Sequence, residues 1–133
     1  MNSKKNVQLV QDAFAAFRSR DLAGVMKMFA DDIEWSGARP AAIPFGGHRR
    51  GLADVGRFFA TLNDTIEYEF FDAHEYLAQN ERVVAFGRER FVVKATGKRV
   101  ENEWAMVFSI SHAKIARVQI YEDTAAVAEG FKI

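Results

Sequence analysis

The chain has 133 residues, 49% of them hydrophobic, and its 18 basic and 18 acidic side chains give a formal net charge of zero. That length suits one domain, 1–133, with one sizeable core. The neutral balance argues against nucleic acid or an anionic membrane as the main partner. The absence of cysteine excludes disulfides, thiol nucleophiles and cysteine-bound zinc. With no apolar signal core or membrane-length window, these features predict a cytoplasmic protein.

Helical periodicity dominates the N-terminal half. Apolar residues three and four positions apart, from Val7 to Phe17, predict an amphipathic helix. Asp21 suits the N-cap of a second, shorter helix, which is followed by a short strand at DDIEW, residues 31–35. Four glycines and both prolines predict a loop over residues 37–51. LADVGRFFATL, residues 52–62, predicts a third helix.

The C-terminal half changes to the period of two that is typical of strands. Four segments show it: 65–78, 82–95, 98–110 and 114–123. Residues 123–131 then predict a short closing helix. The fold class is therefore α+β, with three N-terminal helices packed on a curved antiparallel sheet of about four long strands plus one short strand, and a short C-terminal helix.

Two hairpins decide which strand residues face the helices. A two-residue loop at Thr96–Gly97 predicts that Glu89 lies opposite Trp104. At ISHAK, a longer loop with a bulge predicts that Ile110 lies opposite Lys114, because this register matches apolar residues. The expected inner face is Ala85, Gly87, Glu89, Phe91, Asn102, Trp104, Met106, Phe108, Val118, Ile120 and Glu122. The opposite face is charged, which is typical of a solvated or dimer-forming surface: Arg88, Arg90, Glu101, Glu103, Arg117, Gln119 and Tyr121.

The order of these segments resembles the nuclear-transport-factor-2-like superfamily, and most of all its SnoaL-like and ketosteroid-isomerase-related members. The resemblance covers nearly the whole chain and lies in FAAFRSRDLAGVMKMFADDIEW, in the glycine loop before LADVGRFFATL, and in a strand ending in IYEDTAAV. It implies a cone with an apolar pocket between sheet and helices, and dimerisation through the sheet. The superfamily includes isomerases, cyclases, epoxide hydrolases, dehydratases and non-catalytic binding domains, so the resemblance does not imply one activity.

The catalytic positions of two such relatives carry other residues here. The aspartate base of ketosteroid isomerases corresponds to Gly37, and the protonated acid of their oxyanion hole falls near Met106. Their network tyrosines correspond to Ala13, Phe29 and Phe59. The catalytic aspartate of epoxide hydrolases falls near Ile120. Since none of these side chains can exchange a proton, the resemblance implies a fold and a pocket rather than those two mechanisms.

Glu89 is the sharpest candidate for acid–base chemistry. Its predicted place beside Trp104 on an apolar face would raise its pKa through desolvation; alternatively it reaches water or pairs with His74. Asp72 and His74 lie two positions apart on one strand, hence on one side, and could form a proton relay with Glu89. The alternative for His74 is a hydrogen-bonded core histidine. A metal site from these three residues lacks a recognised spacing, and we expect neither a metal nor a cofactor.

Seven further residues are expected at the pocket: Trp35, Phe59, Asn102, Trp104, Met106, Ile120 and Glu122. Each large apolar one could equally be ordinary core, and Glu122 could cap the following helix. Two functions remain open. The chain could be a cofactor-independent isomerase, cyclase or hydrolase that acts by acid–base catalysis on a small, mostly apolar molecule. It could instead be a non-catalytic ligand-binding or dimerisation domain. In either case we expect a homodimer through the outer sheet face.

Overall fold

The computed structural model describes residues 3–133, which form four helices and six strands. The helices are α1 (Ser3–Arg18), α2 (Leu22–Lys27), α3 (Leu52–Thr65) and α4 (Thr124–Gly130). The strands are β1 (Phe29–Ser36), β2 (His48–Arg50), β3 (Ile66–Gln79), β4 (Arg82–Val93), β5 (Arg99–Ser111) and β6 (Lys114–Glu122). The α+β prediction is confirmed. The sheet gains one strand, because β2 forms within the segment that was expected to be loop only.

All six strands belong to one curved, unclosed sheet in the order β2-β1-β6-β5-β4-β3. The pair β1 and β6 is parallel, and the other pairs are antiparallel. Helices α1 and α3 pack on the inner face of this sheet, where Phe14 meets Phe108 and Phe59 meets Trp35. Within residues 3–133, no helix combines the length and the apolar character needed to cross a membrane.

Two short helices begin at the aspartates that their sequences indicate. The Asp21 carboxylate accepts a hydrogen bond from the Gly24 backbone N–H at 2.9 Å, and Asp123 accepts one from Ala126 N–H at 3.0 Å. Each bond satisfies a backbone donor that has no partner within the first helical turn. The Asp123 cap also fixes where β6 ends, immediately after Glu122.

The hairpin between β4 and β5 differs from the predicted two-residue loop. Residues 94–98 connect the strands, and Glu89 pairs with Asn102 instead of Trp104. A two-residue loop of the favoured type needs positive φ at both central residues, but at Thr96–Gly97 only the glycine has it, with φ 75°. The register error is two residues, which is the period of a strand. The inner face is therefore the predicted one.

The hairpin between β5 and β6 is also built differently from the prediction. His112 and Ala113 form a two-residue turn with φ of 51° and 61°, so the predicted pair of Ile110 and Lys114 is wrong. Ala116 is then an extra residue in β6, because the register shifts between Ser109 and Ile110. This bulge restores the apolar match of the inner face that a plain two-residue turn would lose.

Strand β3 carries two bulges, which change the direction of the side chains between them. The pairing skips Glu69 and then His74. The inward side chains are therefore Ile66, Tyr68, Phe71, Ala73, Tyr76 and Ala78, all buried or half-buried. Asp72 and His74 are exposed, so they do not point inward, as a relay with Glu89 would require. A strand pattern read with an unbroken period of two does not reveal a bulge. Here the bulge at Glu69 reverses which of residues 70–73 face inward.

Candidate active site

An apolar cavity lies between the inner face of the sheet and helices α1 and α3. Its volume is about 80 Å³, counted as space open to the centre of a water molecule. Aromatic rings form most of its wall, including Phe14, Phe17 and Phe58. Six of the seven residues expected at the pocket line it: Trp35, Phe59, Trp104, Met106, Ile120 and Glu122. Cavities of this kind, apolar with a few polar groups, are the usual form of small-molecule sites.

Two carboxyl groups meet in this cavity, held by one amide. Glu89 projects inward from the middle of β4 and is only 4% exposed. Glu122 comes from the end of β6. The Asn102 side chain lies between them on β5 and donates to Glu89 Oε2 at 2.9 Å and to Glu122 Oε1 at 3.0 Å. Its own oxygen accepts from the Asp123 backbone N–H at 3.2 Å. The cap of α4 and the carboxyl pair are thus parts of one network.

The two carboxyl groups also influence each other's protonation, since each affects the pKa of the other. Burial is the main cause that raises the pKa of Glu89, to about 8. The charge of Glu122 raises this pKa further, whereas the hydrogen bond from Asn102 lowers it. Burial also raises the pKa of Glu122, while its hydrogen bonds to Glu89 and Asn102 oppose that rise. Because neighbouring like charges cannot both ionise freely, the pair keeps a proton above the usual range of carboxyl groups, and Glu89 is the member whose pKa rises to about 8.

Trp104 closes one side of the carboxyl site because its strand partner is a glycine. A Cβ on Gly87 would lie 2.2 Å from Trp104 Cζ2, so only glycine lets the indole lie flat across β4. The indole stacks on Phe71, with ring centroids 4.9 Å apart and planes 15° from parallel. The indole N–H groups of Trp35 and Trp104 are buried without a hydrogen-bond partner among residues 3–133. Glu89 and Trp104 are therefore diagonal neighbours on β4 and β5 instead of the directly opposite pair that was predicted.

Tyr68 is a further polar residue of the cavity, beyond those that the sequence pattern predicts there. It extends from β3 beside Phe91, with ring centroids 5.9 Å apart, and lines the cavity together with Glu89 and Glu122. Burial raises the pKa of its hydroxyl well above the usual range, and the charges of Glu89 and Glu122 raise it further. Its spacing of two positions from buried Ile66 indicates an inward direction, since both residues lie before the first bulge.

An open groove lies on the other side of part of the cavity wall. It runs between the end of α1, α3 and β3, and its volume is about 830 Å³. Five side chains line both spaces and separate them: Phe17, Phe59, Leu62, Tyr68 and Phe71. The rings of Phe17 and Phe71 lie 5.3 Å apart within this wall. Glu89 lines only the cavity.

The expected relay of Asp72, His74 and Glu89 is not assembled. The first two side chains are exposed on β3, whereas Glu89 is buried on the inner face. Nor do residues 3–133 contain a group of three or more histidine or acidic side chains arranged to hold a metal ion. The acid–base groups that the fold brings together are Glu89 and Glu122, bridged by Asn102.

Known proteins share both this sequence pattern and this architecture. The family model described as SnoaL-like domain matches residues 10–118. A solved NTF2-like protein from Burkholderia xenovorans is 31% identical, with 99% of each chain covered and a TM-score of 0.90. One from Burkholderia thailandensis is 28% identical over 96% of this chain and 98% of its own, with a TM-score of 0.87.

A more distant structure shows the fold alone. TerC, co-crystallised with polyporic acid, is 23% identical over 95% of this chain and 97% of its own, with a TM-score of 0.83. No curated protein matches the sequence. The family match spans most of the chain, and the structural likeness spans nearly all of it. The chain therefore belongs to the SnoaL-like domain family.

Proposed function

We propose that the protein is an isomerase, cyclase or hydrolase that acts by acid–base catalysis, through its own carboxyl groups, on a small and mostly apolar molecule. The observation that carries the proposal is the Glu89–Glu122 pair, bridged by Asn102 inside an apolar cavity. Burying an ionisable group costs free energy. Carboxyl groups with strongly shifted pKa values in cavities cluster at functional sites.

The pair supplies both halves of a proton transfer. Burial and Glu122 raise the pKa of Glu89 to about 8, near the range in which a group can take and return protons efficiently. The proton released or accepted at Glu89 has an immediate neighbour in Glu122, and Asn102 keeps both carboxyls in place. Apolar walls hold the substrate and exclude the water that would compete for that proton.

Non-catalytic ligand binding is the alternative. The residues at the positions used by ketosteroid isomerases and epoxide hydrolases favour it, since Gly37, Met106 and Ile120 cannot exchange protons. The burial of Glu89 at 4% exposure argues against it, because a wall that only binds an apolar molecule needs no buried ionisable group.

The test is proton exchange on a carbonyl probe in deuterium oxide at pH 8.5, above the pKa of Glu89. The methyl protons of acetophenone are acidic, and their replacement by deuterium is followed by NMR. We expect the protein to accelerate this exchange over buffer, and Glu89→Gln to lower the acceleration by about a hundredfold, the usual contribution of a positioned base.

Glu103→Gln is the matched control. This glutamate lies on β5 with an exposed side chain on the outer face, so its replacement removes the same charge without touching the cavity. We expect the Glu103→Gln protein to keep the wild-type rate. Equal exchange rates in the wild-type and Glu89→Gln proteins would overturn the assignment of Glu89 as the base.

A further inference from the structure

The surroundings of the Tyr68 hydroxyl differ from those of an ordinary core tyrosine. Burial is the main cause that raises the pKa of the hydroxyl. The residue as a whole is half-buried, because it lines both the cavity and the groove. Its ring is held by Phe17, Phe71 and Phe91, with centroids 6.0, 5.3 and 5.9 Å away. The position of the hydroxyl is therefore fixed by packing.

No hydrogen bond between this hydroxyl and another group is found within residues 3–133. The two carboxyls close enough to influence it, Glu89 and Glu122, act on it through charge alone, and both already accept a hydrogen bond from Asn102. The hydroxyl is not among the fully enclosed side-chain atoms that lack a partner, so it borders open space, where an incoming group can reach it. A phenol donor that faces a cavity next to a satisfied carboxyl pair is suited to a partner that occupies the cavity.

We propose that Tyr68 donates a hydrogen bond to an oxygen atom of the bound molecule and holds that molecule against Glu89, so that the ligand is an apolar compound with a carbonyl or similar acceptor oxygen. The donor and the carboxyl pair then contact different parts of one ligand: Tyr68 its oxygen, and Glu89 the neighbouring atom that exchanges a proton. This inference rests on the proposed function only for the place of binding, because the hydrogen bond forms whether or not Glu89 transfers a proton.

Two probes of nearly equal shape measure the hydrogen bond. Acetophenone carries the acceptor oxygen and ethylbenzene does not. We expect the wild-type protein to bind acetophenone more tightly than ethylbenzene, and Tyr68→Phe to reduce that preference about five- to tenfold, the usual net effect of one hydrogen bond. Tyr121→Phe is the control, since that tyrosine is exposed on the outer face.

The infrared carbonyl band of bound acetophenone gives a second measurement, which does not depend on a variant that folds. In the wild-type protein we expect the band at lower frequency than in an apolar solvent, and at the same place at pH 6 and pH 9. Tyr68 stays protonated across that range, because the pKa of its hydroxyl is raised. A donor hydrogen bond from Glu89 would instead vanish as Glu89 ionises near pH 8.

The outcomes separate this inference from the proposed function. An unshifted band, a band that moves with pH, no binding of acetophenone, or a preference unchanged in Tyr68→Phe would each overturn the role of Tyr68. In Glu89→Gln we expect the band and the preference to persist while proton exchange is lost. Loss of exchange together with a retained band thus supports both roles, whereas a retained band with exchange unaffected by Glu89→Gln supports Tyr68 and contradicts the catalytic role of Glu89.

Discussion

A carboxyl group in the middle of a central strand costs free energy unless it stays neutral or finds partners. Glu89 does both, because it holds a proton and contacts Glu122 and Asn102. The sequence predicted this residue from its strand parity, and it predicted Asn102 and Glu122 on the same face. It could not show that one amide joins them, because that contact depends on a register set by a loop five residues long.

The raised pKa of Glu89 predicts how stability depends on pH. Below about pH 4.5, its usual pKa, both the folded and the unfolded chain hold the proton; above it the unfolded chain releases the proton while the folded chain keeps it up to about pH 8. The contribution of Glu89 to stability is therefore present at low pH and is lost as pH rises towards 8. Glu89→Gln should gain stability relative to wild type over this interval, on the order of a few kcal/mol.

Urea unfolding of both proteins at pH 5 and pH 8.5 measures this effect. The free energy of unfolding of Glu89→Gln minus that of wild type should be larger at pH 8.5 than at pH 5. The variant Glu103→Gln, altered at an exposed site, should run parallel to wild type. A constant difference between wild type and Glu89→Gln at both pH values would contradict the raised pKa.

Among the elements, helices and strand faces followed from periodicity, whereas turns and bulges did not. The four helices and the inner face of β4, β5 and β6 agree with the prediction, because burial imposes a period that composition reveals. The two hairpin loops and the bulges at Glu69, His74 and Ala116 do not leave such a period. Their effect is unequal: the shift at Ala116 preserves the predicted face, and those in β3 turn Asp72 outward and Phe71 inward.

The turn between β5 and β6 gives a prediction at this scale. Ala113 has φ 61°, in the left-handed region that costs a residue with a Cβ and that glycine adopts freely. We expect Ala113→Gly to raise the free energy of unfolding by roughly 0.5–1 kcal/mol, measured by thermal or urea denaturation. Ala95→Gly is a suitable control, since Ala95 lies in the other hairpin loop without positive φ. A destabilised Ala113→Gly protein would contradict the prediction.

At the scale of the whole molecule, the outer sheet face is the surface that we expect to join two copies of the chain. Phe70 lies there with the guanidinium groups of Arg88 and Arg90 at 5.6 and 5.2 Å from its ring centre, and Tyr121 is 57% exposed. Both signs of charge occur on this face, as in the Arg90–Glu101 pair at 3.7 Å. A face with mixed charge and exposed rings is suited to a two-fold interface, in which each patch meets its own copy.

Sedimentation measures that association. We expect a species of twice the 15.0 kDa of one chain, and a shift towards the single chain when Tyr121→Glu places an unpaired charge on this face. Gln11→Glu adds the same charge at an exposed position of α1 and should leave the dimer intact. A wild-type protein that sediments as a single chain at micromolar concentration would rule out this interface.

The two bulges of β3 have a consequence for how the cavity can change over time. Because the second shift cancels the first, residues 70–73 are a short insert whose side-chain directions are set independently of the rest of the strand. The direction of Phe71, which lines the cavity, is thus separate from the directions of Ile66 and Tyr76 in the core. A lineage could therefore alter the size of the molecule that fits beside Glu89 through the single codon of Phe71, while the strand pairing on either side stays the same.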